Sequence, residues 1–287
     1  MKSNDKLKGI IFILFAAFGF SLMTFFVRIS GDLPTMEKAF FRNLVALFVA
    51  VFALVKNGEG FHVGKGNRLD LFMRCAFGTA GLIANFYAID RLGIADANML
   101  NKLSPFFAIV LSVFILKETP NRFDIITTIV AFIGALFIIR PTGSFSAVAP
   151  ALAGLFGGFG AGCAYVFVRK LGKKGVQPPI IVAAFSLFSC MVTFPFLIVN
   201  FVPMKPIQLI YLLLAGVAAS IGQFSITNAY RYAPAKEISV FDYTQVIFAA
   251  LLGIAFLGEI PVPLSILGYS IIIGIAILRW RKNLKSE

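Results

Sequence analysis

The sequence is poor in the residues that soluble enzymes use for chemistry. Its 287 residues hold one histidine, one tryptophan and three cysteines. A lone His62, read as a loop residue, cannot make a clustered-histidine metal or acid–base set. Cys75, Cys163 and Cys190 are odd in number, and each sits inside an apolar stretch. Without metal-ligand spacing they read as small buried hydrophobes. Carboxylates are scarcer than cations, 13 against 26. Nearly all of them fall at the ends of apolar runs, which argues against a paired-carboxylate catalytic site. No Walker or dinucleotide fingerprint occurs, which argues against ATP-driven work by this chain alone. No long polar stretch is left for a soluble domain or a disordered tail. No motif calls for a cofactor or a metal.

What is present is apolar. The chain is 59% hydrophobic and only 14% charged, with a mean hydropathy of +0.90. A soluble protein of this length would expose too much apolar surface. The apolar runs are each roughly 20 residues, the length that crosses a bilayer. The first run follows three lysines, as a signal peptide would. It is longer than a signal-peptide core and lacks a small-residue cleavage site, so it reads as a retained helix. Ten spans are expected, at about 9–29, 36–55, 71–90, 94–116, 122–140, 149–169, 178–201, 207–231, 236–257 and 262–280. The net charge of +13 is concentrated in the short connections. With the N-terminus inside, the inner flanks collect 18 lysines and arginines, the outer flanks only Arg28, Lys38, Arg91, Arg140 and Lys205. That bias predicts both termini in the cytoplasm and accounts for the charge without nucleic acid.

The chain also repeats itself at an offset of 141 residues. Phe18-Gly19 returns as Phe159-Gly160, Val27-Arg28 as Val168-Arg169, and Phe107-Ala108 as Phe248-Ala249. Gly81 matches Gly222, Glu118 matches Glu259, and Pro120 matches Pro261. Two units follow, 1–141 and 142–287, each with five spans. An odd number of spans makes the second unit enter the membrane from the opposite side. The expected fold is therefore all-α, ten transmembrane helices in two inverted-topology five-helix repeats, an arrangement that carriers use for alternating access.

Ten spans in two repeats, short loops, and a fourth span carrying Pro105-x12-Glu118 resemble the drug/metabolite transporter superfamily, EamA-type branch. Glu259 fits the same pattern in the second copy, although Val246 replaces the proline. Ala39-Phe40-Phe41-Arg42 looks like the family's aromatic-Arg signature, and its repeat position is Ala183. The resemblance covers nearly the whole chain. It implies a multi-pass carrier of the bacterial cell (inner) membrane and leaves the solute open.

Charge inside a bilayer is costly, so its position is informative. Lys102 lies roughly 12 Å into the fourth span and Asp242 roughly 9 Å into the ninth, approaching the midplane from opposite faces. Their surroundings are repeat mates: Asn101-Lys102-Leu103-Ser104 and Asp242-Tyr243-Thr244-Gln245. Helical spacing groups Asn98, Asn101 and Lys102 with Pro105 on one face, and Ser239, Asp242 and Tyr243 on another. Ser220, Gln223 and Thr227 share a face of the eighth span, and Gly78, Gly81 and Asn85 a face of the third. Tyr165 follows the run of glycines in the sixth span, whose small residues allow close backbone approach. Two readings stay open. Either these faces, with Ser21 and Thr24 of the first span, converge on one polar cavity bounded by spans 1, 3, 4, 6, 8 and 9, or they form interhelical hydrogen bonds around a buried Lys102–Asp242 ion pair. In the cavity reading, Lys102 holds a carboxylate or phosphate, and Asp242 an amine or a coupling proton. Arg42 either snorkels to the outer interface or serves an outer gate. Glu118 and Glu259 brace the start of the next helix.

The leading expectation is a secondary exporter of small polar or zwitterionic solutes, proton-linked, complete as a monomer or paired as a homodimer. An importer of a larger vitamin- or nucleoside-like solute keeps the same fold. A membrane-embedded lipid-modifying enzyme would need a catalytic set that the sequence does not offer.

Overall fold

In the computed structural model, residues 3–56, 58, 63–115, 122–139, 145–232 and 239–285 are described below. They form eleven α-helices, with no strand among them. The helices are α1 (Ser3–Ile29), α2 (Thr35–Lys56), α3 (Arg68–Arg91), α4 (Ile94–Asn101), α5 (Ser104–Ile115), α6 (Arg122–Ile139), α7 (Phe145–Lys173), α8 (Pro178–Val199), α9 (Pro206–Tyr232), α10 (Thr244–Leu252) and α11 (Pro263–Lys285). A 3₁₀ turn, Ser239–Tyr243, leads into α10, and a π turn, Gly253–Leu257, follows it.

Seven of these helices are long and apolar enough to cross a membrane: stretches of α1, α2, α3, α7, α8, α9 and α11. The segments Ile125–Ile138 and Phe241–Leu257 are apolar but shorter. The fourth expected span, 94–116, is not one continuous helix. It breaks at Lys102-Leu103, between α4 and α5. Proline explains the break. Pro105 has no N–H to give the carbonyl of Asn101, and its ring clashes with that carbonyl. The chain tightens instead, with Leu103 N donating to Leu100 O (3.2 Å) and Phe106 N to Leu103 O (2.9 Å).

The distribution of side chains suits lipid as the outer solvent. Large apolar groups such as Phe48, Phe52, Phe114 and Ile198 face outward. Ser21, Thr24, Asn43, Asn98, Ser186, Ser189 and Thr193 are buried. The core between α1, α3 and α9 is built largely from alanines, including Ala16, Ala88, Ala215, Ala218, Ala219 and Ala229. Small residues let helices approach where lipid gives no hydrophobic drive.

The sequence offset reappears in the packing. A shift of 141 residues carries α1 onto α7, α2 onto α8, α3 onto α9, and α6 onto α11. It also exchanges the contacts. The pair α1·α9 becomes α7·α3, α2·α9 becomes α8·α3, and α1·α10 becomes α7·α5, while α2·α8 and α6·α11 map onto themselves. Two close helix approaches follow the same rule. A Cβ on Gly160 would lie 2.7 Å from Gly81 Cα, and one on Gly19 would lie 2.8 Å from Gly222 N. Gly19 and Gly160 are repeat mates, as are Gly81 and Gly222.

Candidate functional site

Where the interrupted helices meet, polar groups from three helices interlock. Asn98 Nδ2 donates to Ile94 O (2.7 Å) and Thr24 Oγ1 (3.2 Å), and Asn98 Oδ1 accepts from Gln245 Nε2. Ser21 Oγ is 2.9 Å from Gln245 O. This network ties α1, α4 and α10 together and fixes the approach of the two repeats. Beside it, Lys102 Nζ and Asp242 Oδ2 form an ion pair of 2.6 Å, with side-chain exposures of 3% and 2%. Asp242 Oδ1 has no hydrogen-bond partner among the described residues.

The ion pair adjoins a cavity with about 80 Å³ open to the centres of water molecules. A cavity of that size has room for several waters. Lys102, Asn101, Asn85, Tyr165, Gln223 and Arg42, all singled out from sequence, line it. Asn98, Asp242, Tyr243 and Thr227 do not. Asn98 holds Gln245, which does line the cavity, and Asp242 holds Lys102. Tyr243 is buried in an apolar cluster with Met99, Leu103 and Val246. Thr227 Oγ1 donates to Gln223 O (2.7 Å). The side chain of Ser239 lies outside the described residues, as do His62, Lys117, Glu118, Pro120, Arg140 and Lys236. The expected cavity walls were spans 1, 3, 4, 6, 8 and 9. The structure adds α2, through Arg42, and α8, through Phe185.

Arg42 does not snorkel to an interface. It is 1% exposed, and its Nη1 donates to Asn43 Oδ1. Asn43 is held in turn by Ala39 O (2.8 Å) and Ser189 Oγ (2.9 Å). Sequence reading overlooked Arg74, which is 4% exposed and also lines the cavity. The signal was available: Arg74, Gly78, Gly81 and Asn85 recur at helical spacing on one face of α3. Gly78 has a specific purpose here, because a Cβ at that position would overlap Arg74 Nη1. The Arg74 guanidinium lies 4.3 Å from the Phe185 ring centroid and that of Arg42 lies 5.9 Å from it, a stabilising arrangement for a cation.

Ion pairs also clamp both ends of α3. Near its start, Asp70 accepts from Lys170 of α7 (2.7 Å) and from Lys174 just beyond its end (2.8 Å). Near its end, Asp90 pairs with Lys38 of α2. Close by, Glu259 accepts from Arg28 (3.0 Å) and from the backbone N–H of Ile94 (2.7 Å). Glu259 thus satisfies one of the orphan donors in the first turn of α4. Among the described residues, no group of three or more His, Cys, Asp or Glu side chains is placed to hold a metal.

A helical membrane protein with a polar cavity at the junction of two repeats has the form of a solute carrier. The EamA-like transporter family model matches residues 7–140 and again 149–280. The chain belongs to that family, in the EamA-type branch of the drug/metabolite transporter superfamily. The pseudopaline exporter CntI of Pseudomonas aeruginosa is 31% identical over 284 residues, covering 97% of this chain and 99% of that protein. An uncharacterized transporter of Helicobacter pylori is 28% identical, covering 94% of this chain and 93% of that one. Solute carrier family 35 member G1 of Homo sapiens is 25% identical, covering 96% and 81%. A solved crystal structure superposes with a TM-score of 0.70 at 15% identity, over 97% of this chain and 98% of the other, a likeness of fold alone. The family and the relatives are transporters, which points away from an enzyme.

Proposed function

We propose that this chain is a secondary exporter of small polar organic solutes, working by alternating access from the central cavity. The observation that carries this reading is the convergence of Lys102, Asn101, Asn85, Tyr165, Gln223 and Arg42 on one buried cavity. Export is favoured by the 31% identity to a protein named an exporter. In this reading the chain has ten spans as two inverted five-helix repeats, 1–141 and 142–287. Both termini are cytoplasmic, and the membrane is the inner membrane of a bacterial cell. The clamps at Asp70 and Asp90 close opposite ends of the path, and breaking one while making the other changes which side is open.

Asp242 is the proposed proton site. It is the buried carboxylate beside the cavity, and one of its oxygens has no described partner. Protonating it would release Lys102 towards the cavity. The test is counterflow and pH-gradient-driven flux in proteoliposomes. Wild type is expected to show both, and Asp242→Asn to keep counterflow but lose the gradient-driven component. Unchanged gradient-driven flux in Asp242→Asn would remove the residue from coupling. No counterflow of any solute by wild type would reject the transport reading.

A further inference from the structure

We infer that the solute carries at least two ionised oxyanion groups, one held by Arg42 and the other by Arg74. The inference rests on the transport reading and deepens it by naming the substrate class.

The charge inventory of the cavity leads to it. Lys102 is neutralised by Asp242 at 2.6 Å. Arg42 and Arg74 have no such partner: among the described residues neither forms an ion pair with a carboxylate. The Nε of each is buried without a hydrogen-bond partner among those residues. Two guanidinium groups, 1% and 4% exposed, are therefore left with no carboxylate paired to them among the described residues. Buried charge is retained when something pairs with it. The Phe185 ring stabilises both cations but does not cancel their charge.

The two groups are also positioned. Arg42 is oriented by Asn43, itself fixed to α8 through Ser189. The Arg74 guanidinium lies 4.3 Å from the Phe185 ring centroid, over the space left by Gly78. Both border the same cavity and the same ring, so one small molecule can reach both. Guanidinium is the side chain best matched to a planar carboxylate, which it binds through two parallel hydrogen bonds. Asn85, Asn101, Gln223 and Gln245, also on the cavity wall, supply neutral hydrogen bonds for the rest of the molecule. The start of α2 lies beside the end of α3, through Lys38 and Asp90, so the two arginines approach the cavity from opposite ends of the path. Arg42 is in the second turn of α2 and Arg74 in the second turn of α3, and the ion-pair clamps place those starts at opposite ends of the path. A solute with two acidic ends spans the junction, and a solute with one does not.

The experiment uses the full chain, purified and reconstituted, with acetate, succinate, propane-1,2,3-tricarboxylate, alanine and putrescine as probes. Binding is read by titration and movement by counterflow. Succinate and the tricarboxylate are expected to bind and exchange, with acetate weaker by roughly tenfold or more, since one charge-assisted contact is lost. Arg42→Gln and Arg74→Gln are each expected to weaken succinate by a similar factor while acetate changes less. Should either variant fail to fold, Arg42→Lys and Arg74→Lys keep the charge and are expected to bind succinate with intermediate affinity. Equal affinity for acetate and succinate, or succinate binding unaffected by either arginine, overturns the inference. Exchange of alanine or putrescine but not of the acids overturns it and leaves the transport reading intact. Failure of every probe to bind or move overturns it as well, and counterflow of other solutes then decides the transport reading separately.

Discussion

Replacing Lys102 with methionine removes the cation from the central ion pair and keeps most of the side-chain volume. Asp242 is then a buried carboxylate with neither oxygen partnered among the described residues, since Oδ1 already lacks a donor and Oδ2 loses its 2.6 Å contact. Breaking a buried pair from one side costs about 3–5 kcal/mol. Water in the adjoining cavity and protonation of the stranded carboxylate both limit the cost, so the lower end, about 3 kcal/mol, is expected. For a chain of this size that lowers the unfolding midpoint by on the order of 10 °C. Asp242→Leu strands the ammonium instead and is expected to cost about as much. The double variant strands no charge and should recover most of the loss, because apolar replacement of both partners is often neutral. The assay is thermal unfolding in detergent at constant ionic strength for wild type, both singles and the double. Wild-type midpoints for the singles, or a double as unstable as the two singles combined, would refute a structural ion pair.

Helix packing and the clamps can be tested by four further substitutions. Gly160→Ala would drive a Cβ to 2.7 Å from Gly81 Cα and 2.8 Å from Phe77 O, so a loss of about 1–3 kcal/mol is expected in the same unfolding assay. Glu259→Gln keeps an acceptor for Ile94 N but gives up the charge that faces Arg28, a part-exposed pair, and should cost below about 1 kcal/mol. Glu259→Ala removes the helix cap too and should cost roughly 1 kcal/mol more than the glutamine variant by unfolding midpoint. Asp70→Asn should leave the unfolding midpoint within about 1 kcal/mol of wild type, since Lys170 and Lys174 are half-exposed. It should speed chemical labelling of cavity positions from the side that Asp70 closes; unchanged labelling would argue against a clamp there.

The apolar runs and the 141-residue offset were legible because both are one-dimensional patterns, and the exchange of helix contacts follows the same offset. The break at Lys102-Leu103 was only half legible. Pro105 announces a lost hydrogen bond, but a gentle kink and a full interruption look alike until neighbouring helices are placed. In the second repeat Val246 occupies the proline's position, yet a 3₁₀ turn still precedes α10. No residue rule reads that out. Arg74 was missed for a different reason. Attention to depth favoured Lys102 and Asp242, whereas the helical face it shares with Gly78, Gly81 and Asn85 would have placed it. Phe185 is one of 33 phenylalanines and carries no mark in the sequence. The Asn98–Gln245 contact joins residues 147 apart, and single-sequence periodicity has no access to such a pairing.

Alternating access requires the cavity to open to each side of the membrane in turn. Gln223 lines that cavity, and the native cysteines Cys75, Cys163 and Cys190 are buried, so Gln223→Cys gives a single reporter against an unreactive background. A membrane-impermeant maleimide is added to sealed vesicles of known orientation, from the outside in one set and from the inside in another. Labelling of Gln223→Cys from both sides, with wild type unlabelled, is the predicted result. Labelling from one side alone, or from neither in folded protein, would contradict alternating access through this cavity.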